Sequence, residues 1–167
     1  MDAIIRMATS DDTHRIADIY NHYILNTVVT FEEVPVQPVE MAARITAIET
    51  LGLPWLVAEV DGTVMGYAYA TGWKNRQAYR HSVEIAAYVD QRVTGLGIGT
   101  ALYIELFAAL RQLPVHSVVA CLSLPNLASV MLHERFGMTK AAHFVEVGYK
   151  FDMWIDIGYW QINLPVE

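Results

Sequence analysis

Three alternating glycines in Thr94-Gly95-Leu96-Gly97-Ile98-Gly99 join a β-branched, strand-like run, Ser82 to Val89, to a helical pattern that begins near Thr100. Glycine lets a backbone turn sharply and approach a ligand closely, and the first amides of a helix lack internal partners, so their N–H groups point outward. A strand, a glycine turn and a helix start together make an anion site, where a phosphate gains hydrogen bonds and ~0.3–1 kcal/mol from the helix dipole. What the turn lacks narrows the phosphate. No Lys-Ser or Lys-Thr follows the last glycine, and G-x-G-x-G misses the dinucleotide spacing G-x-G-x-x-G. A tight β-to-α connection without a ligand fits the same spacing.

Other residues near this turn can also carry chemistry. Glu84 interrupts the otherwise apolar run Ser82-Val83-Glu84-Ile85-Ala86-Ala87-Tyr88-Val89. Carboxylates are seldom buried unless paired, so Glu84 is either a general base or half of an ion pair with Arg80 or Arg92. His133 lies seven residues after Asn126 on one helical pattern, about two turns along, so the two share a face. A histidine there serves as acid or base, or as a satisfied packing residue. Lys74 and Arg76, beside Trp73 and Tyr79, are a local excess of positive charge that suits an anionic ligand group or a solvated loop. The other histidines, His14, His22, His81, His116 and His143, form no HxxxH or Cys/His grouping, so no metal site is expected.

These residues need a scaffold, and the chain has the means to build one. Its 167 residues are 54% hydrophobic, which suits one domain over 1–167 that buries roughly two thirds of its unfolded surface. Eighteen acidic against eleven basic residues give a formal charge of −7, which disfavours nucleic acid because phosphate neutralisation needs clustered Lys and Arg. The single cysteine, Cys121, excludes intrachain disulfides, and Met1-Asp2-Ala3-Ile4-Ile5-Arg6 is too soon interrupted for a signal peptide, so the cytoplasm is the expected compartment. No apolar run approaches the roughly 18 residues that a membrane span needs.

Periodicity supplies the elements. Ile4 to Ala8 is a first strand, and Ser10 is placed to cap a helix from Asp11 to Asn26. A helix follows from Val39 to Thr50, and then strands Trp55 to Val60 and Thr63 to Trp73 around the hairpin signal Asp61-Gly62. After Ser82 to Val89 come a helix from Gly97 to Gln112, a strand from His116 to Leu122 and a helix from Asn126 to Arg135, stopped by Gly137. Met138 to Ala142, Val145 to Phe151 and Tyr159 to Leu164 have the bias of late strands. The fold class is α/β, a mixed sheet with helices on both faces.

This arrangement resembles the GNAT superfamily of N-acetyltransferases, whose signature is Arg/Gln-x-x-Gly-x-Gly/Ala between the fourth strand and the next helix. Thr94 to Gly99 occupies it, with Thr94 in place of Arg or Gln. The register Arg92 to Gly97 fits the pattern literally but leaves the strand-to-turn length two residues short. The resemblance is closer to the phosphinothricin acetyltransferase branch, through Ile19-Tyr20-Asn21-His22-Tyr23, Thr30-Phe31-Glu32-Glu33, Pro54-Trp55-Leu56-Val57-Ala58, Gly66-Tyr67-Ala68-Tyr69-Ala70, Leu124-Pro125-Asn126, Leu132-His133-Glu134 and Gly158-Tyr159-Trp160-Gln161.

The resemblance implies a mixed, mostly antiparallel sheet of about seven strands flanked by about four helices and splayed between Ser82–Val89 and His116–Leu122. It implies acetyl-CoA as co-substrate, with the diphosphate on Thr94, Gly95, Leu96, Gly97, Ile98, Gly99 and Thr100, the pantetheine along Ala87, Tyr88 and Val89, and a contact from Asn126. The amide of Ala87 or Tyr88 then faces the thioester oxygen. The acceptor pocket is lined by Lys74, Asn75, Arg76, Tyr79, Glu84, Ile85 and Ala86 and walled by Phe31. Glu84 is then the base that frees the amine, and His133 stands where many members carry a tyrosine that protonates the departing thiolate. The implied acceptor is a free amino acid or analogue such as phosphinothricin, methionine sulfoximine or methionine sulfone. A protein N-terminus or another amine, or a non-catalytic acyl-CoA sensor, are the competing readings. A homodimer through aromatic late strands around Tyr149, Trp154 and Trp160 is expected.

Overall fold

In the computed structural model, which describes residues 3–165, Asp61 and Gly62 reverse the chain with φ of 49° and 74°. Left-handed backbone at both positions is what a tight two-residue hairpin needs, and it sets Trp55–Val60 (β2) antiparallel to Thr63–Gly72 (β3). Ile4–Met7 (β1) flanks β2, and Ser82–Val89 (β4) flanks β3. The remaining strands are Ser117–Leu124 (β5), Thr139–Lys150 (β6) and Met153–Asn163 (β7), giving one seven-stranded sheet of order β1-β2-β3-β4-β5-β7-β6. Among the described residues the only parallel pair is β4 with β5, and it lasts from Ser82–Ser117 to Glu84–Val119 before the strands part. The expected splay is therefore present.

Alternation along β3 assigns the two faces. Ala68 and Ala70 face Ile98–Leu110 (α3), whereas Tyr67 and Tyr69 face Thr13–Asn26 (α1) and Pro38–Thr50 (α2). In α1, Ile16, Ile19, Tyr20 and Ile24 form a buried stripe at helical spacing. Helix α3 is the central element on its face: Ile98, Leu102, Tyr103, Leu106, Phe107 and Leu110 are each at most 1% exposed. Burial of each such side chain contributes ~1.5–3 kcal/mol. Leu127–Arg135 (α4) buries only His133. Among the described residues no helix is long and apolar enough to cross a membrane.

Four expectations shift. The cap before α1 is not Ser10: Thr9 N and Oγ1 both donate to Asp12 Oδ2, at 2.7 and 3.1 Å, and a 3-10 turn over Ser10–Asp12 precedes the helix. Met138 to Ala142 and Val145 to Phe151 are parts of one strand, β6, interrupted by a bulge between Phe144 and Gly148 in which Glu146 has φ 52°. The last strand starts at Met153, not Tyr159, because Phe151 and Asp152, at φ 51° and 57°, form the hairpin turn without a glycine to announce it. Trp160, expected on an interface, is 3% exposed and lies in the core, with Nε1 donating to Glu134 Oε1 at 3.2 Å.

Candidate active site

The glycine turn is seated by one carboxylate. Asp90, 1% exposed at the end of β4, accepts from Arg92 N and Nε at 2.9 Å, from Arg92 Nη2 at 2.8 Å and from Arg15 of α1. These guanidinium and amide bonds, led by Arg92, hold its carboxyl far below the usual carboxylate range. Gly95 and Gly97 then adopt φ of 77° and 88°, a region where other residues are strained. Gly97 is the N-cap of α3, and the first helical bond runs from Ala101 N to Gly97 O at 3.0 Å. The amides of Ile98, Gly99 and Thr100 thus precede the helical ladder and fit an anion. Ile98 is 1% exposed, so it has only its backbone to offer a ligand, whereas Leu96 is exposed. Gly99 is ordinary helix, where an added Cβ would meet Leu132 at 3.4 Å. Thr94 Oγ1 lies 3.5 Å from Gln91 O. A cation the sequence reading did not find stands close by: Arg135 Nη1 of α4 donates to Thr100 Oγ1 at 3.3 Å.

Beyond Glu84 the edge of β4 that faces β5 has no strand partner, while the other edge stays paired with β3 as far as Val89–Gly66. A polar edge left open in this way fits an extended amide-bearing chain. The side chains of Ala87 and Val89 turn to the α3 core, and Tyr88 packs against Tyr20, Tyr23 and Tyr67 with ring centroids 5.0, 5.3 and 5.5 Å away. These strand positions can meet a ligand through backbone groups. Asn126 Oδ1 accepts from Ser129 N at 3.2 Å as the cap of α4, which leaves Nδ2 for another partner.

Glu84 is half-buried and makes no hydrogen bond or ion pair with any described residue. Arg92 is held by Asp90, and Arg80 Nη1 donates to Gln77 O at 3.3 Å. Burial pushes the Glu84 carboxyl up, and the charge of Lys74 partly opposes this. Thr71 is its cross-strand partner, and Tyr69 and Ala86 lie along the same face. Strand parity puts Ile85 on the opposite face, 3% exposed under α3, so the expectation that its side chain lines an acceptor pocket is corrected. Cys121 and Tyr159, which sequence spacing could not connect to Glu84, are register partners on β5 and β7 and sense its charge. Burial, with help from Cys121 and Glu84, pushes the Tyr159 hydroxyl up to about 12.

His133 is 5% exposed, with both ring nitrogens engaged: Nδ1 lies 2.7 Å from Ser129 O and Nε2 2.9 Å from Tyr103 Oη. Burial lowers its pKa, which favours the neutral ring, while the bond to Ser129 O opposes this. Phe31, in the α1–α2 loop, packs its ring against Gly148 of β6. An added Cβ at Gly148 would come within 2.4 Å of its ring, and buried Lys150 donates from Nζ to Thr30 O at 2.8 Å. Lys74 lies 5.2 Å from the Trp73 ring centroid, and Tyr79 meets Trp73 edge to face. Lys74, Asn75, Tyr79 and Arg80 line a cavity of about 470 Å³ that Arg76 and Glu84 do not reach. Among the described residues no three His, Cys, Asp or Glu side chains are grouped to hold a metal.

A profile described as "Acetyltransferase (GNAT) domain" matches residues 5–158. The phosphinothricin N-acetyltransferase of Streptomyces viridochromogenes is 43% identical over 157 residues, 94% of this chain and 85% of that protein. The L-methionine sulfoximine/L-methionine sulfone acetyltransferase of Salmonella typhimurium is 35% identical over 160 residues, 96% of this chain and 94% of its own length. A phosphinothricin acetyltransferase of Sinorhizobium meliloti, solved with acetyl-CoA, superposes with a TM-score of 0.95 at 36% identity, covering 98% of this chain and 89% of its own. With the profile spanning nearly the whole described sheet and these relatives aligned over nearly all of it, the chain belongs to the GNAT acetyltransferase family.

Proposed function

We propose that this chain is a single-domain, cytoplasmic N-acetyltransferase that moves an acetyl group from acetyl-CoA to the α-amine of a small amino acid or analogue, of the phosphinothricin and methionine sulfoximine type. The observation that carries this reading is Glu84: an unpaired, half-buried carboxylate at the point where β4 and β5 part. An ammonium near pH 7 must lose a proton before its nitrogen can attack, and Glu84 accepts it directly or through water. The amine then attacks the thioester carbon. Charge on the thioester oxygen is met by a backbone N–H of Ala87 or Tyr88 on the open edge of β4, and the C–S bond breaks to release the thiol form of CoA after proton uptake. The amides at Gly97 to Thr100, with Arg135 beside them, hold the diphosphate. His133 has a positioning role: through Tyr103 it fastens α4, and with it Asn126, to α3.

The reading is tested by thiol release across phosphinothricin, methionine sulfoximine, methionine sulfone, free amino acids and short peptides. Release with the amino acid analogues and none with peptides is expected. Release with peptides alone, or CoA binding without release, would overturn it. Lys74→Met should raise the acceptor KM about tenfold or more, because a charged hydrogen bond contributes ~1.5–3 kcal/mol, whereas Arg76, outside the cavity that Lys74 lines, should matter less. Equal losses for an amino acid and for the matching amine without a carboxylate would rule that pocket out.

We propose further that the chain forms a homodimer through its late strands. The β6–β7 hairpin exposes Val145, Val147, Tyr149, Phe151, Met153 and Trp154, each at 50% or more, and the cross-strand partners Tyr149 and Trp154, with ring centroids 4.8 Å apart, are the apolar pair that a second copy would cover. Trp154→Glu should convert a dimer to a monomer in sedimentation velocity. A wild-type monomer at micromolar concentration would contradict the assembly.

A further inference from the structure

The two edges of β4 can be told apart. Trp73 N donates to Ser82 O at 3.2 Å and Asp90 N to Met65 O at 2.8 Å, and an added Cβ at Gly66 would lie 3.1 Å from Tyr88 O. Backbone polar groups alternate between the edges of a strand, so Ser82, Glu84, Ala86, Tyr88 and Asp90 turn theirs to β3 and the residues between them turn theirs to β5. Beyond Glu84, β5 has parted. The open groups are then Ala87 N–H, Ala87 C=O, Val89 N–H and Val89 C=O, in that order toward the glycine turn, whereas Tyr88 N–H belongs to the β3 ladder. Of the two amides proposed for the thioester oxygen, Ala87 is the one on the open edge.

One of these groups is already bonded. Tyr23 Oη of α1 donates to Val89 O at 2.5 Å. Its ring is held in place edge to face, with centroids 5.3 Å from Tyr88 and 5.6 Å from His22. Arg15, about two turns earlier on the same helix, joins α1 to Asp90, so α1 has a tie to the end of β4 without Tyr23. What the Tyr23 bond alone does is close the last carbonyl of the open edge.

An extended amide chain pairs with a strand edge in steps of two residues, about 7 Å at the rise of a strand. Pantetheine, the arm between the thioester and the diphosphate of acetyl-CoA, is such a chain, and its rotatable single bonds let it slide while the diphosphate stays on the turn. With the thioester oxygen at Ala87 N–H, the amide nearest the sulfur finds Ala87 C=O for its N–H and Val89 N–H for its oxygen. Two residues nearer the turn, the same N–H would meet Val89 C=O, which Tyr23 occupies. We propose that Tyr23 is a positioning residue for the acyl donor: by closing Val89 C=O it denies pantetheine the slipped register and keeps the reacting carbon beside Glu84. The proposal rests on the acetyl-CoA-dependent reading and assigns the residue that sets the donor's place along β4.

The test is Tyr23→Phe, which removes the hydroxyl and keeps the ring against Tyr88. A freed carbonyl admits the slipped, unproductive register, so CoA should bind about fivefold tighter in calorimetry, the scale of one hydrogen bond. ADP, which keeps the diphosphate and lacks pantetheine, should bind wild type and variant alike. Unproductive binding lowers kcat and KM together, so thiol release should show both falling about fivefold for acetyl-CoA with kcat/KM unchanged. A bond that only fastened the helix would give the opposite sign, a higher KM and weaker CoA binding. That result, no change in CoA binding, or equal tightening of ADP overturns the register role. No thiol release with any amino acid by wild type overturns the acetyl-transfer reading instead, and the CoA and ADP titrations still decide the role of Tyr23.

Discussion

Glu84→Gln should lower kcat at pH 7 by about 10²- to 10⁴-fold, the range a positioned general base supplies, while the KM for acetyl-CoA stays within about twofold. Glutamine keeps the shape and removes the proton acceptor, so the loss should shrink at high pH, where the free amine is abundant. In the wild type the acidic limb of the rate profile should fall above the ordinary glutamate range, since burial pushes the Glu84 carboxyl up. Lys74→Met should move that limb further up, because the charge of Lys74 opposes the shift. The same burial works against stability. A carboxyl with a raised folded pKa binds more protons folded than unfolded, so its contribution to stability falls as pH rises from the ordinary glutamate value through the raised one. Above that window the ionised group is a standing penalty, and Glu84→Gln should raise the Tm at neutral pH. Unchanged turnover in Glu84→Gln would remove this residue from the reaction.

What could be read from sequence divides along physical lines. The anion turn was legible because left-handed backbone at Gly95 and Gly97 has a chemical signature in glycine, and α3 because apolar residues at helical spacing, Leu102, Leu106 and Leu110 among them, make one buried face. Glu84 stood out as a charge in an apolar strand. Its neighbour Ile85 shows the limit of carrying a segment over whole: strand parity sends adjacent side chains to opposite faces, so Glu84 on the acceptor side places Ile85 beneath α3. The turn at Phe151-Asp152 was hidden because tertiary contacts, not turn residues, hold it. Lys150, 120 residues from Thr30, closes one such contact. Arg135 beside Thr100, and Cys121 and Tyr159 around Glu84, depend on which elements become neighbours across the sheet, and local pattern carries no record of that.

Asp90→Ala should cost about 3 kcal/mol, at the low end of the ~3–5 kcal/mol for breaking a buried ion pair, because both guanidinium partners keep contact with solvent. For a domain of this size that is a fall in Tm of about 6–12 °C. Arg15 would retain its bond from Nε to Val64 O at 3.0 Å but lose the carboxylate that joins α1 to the end of β4. The glycine turn begins four residues after Asp90, so acetyl-CoA KM should rise about tenfold as its amides lose their fixed aim. The pH dependence separates this carboxylate from a neutral hydrogen-bonding side chain. Its folded pKa is depressed, so its stabilisation is present above the unfolded value near pH 4 and is lost as pH falls toward the folded one. The gap between wild type and Asp90→Asn in urea unfolding should therefore be full at pH 7 and narrow steadily below about pH 4. A constant gap across that range would mean that ionisation of Asp90 contributes nothing. A fall in Tm with acetyl-CoA KM unchanged would mean that it anchors α1 to β4 without seating the turn.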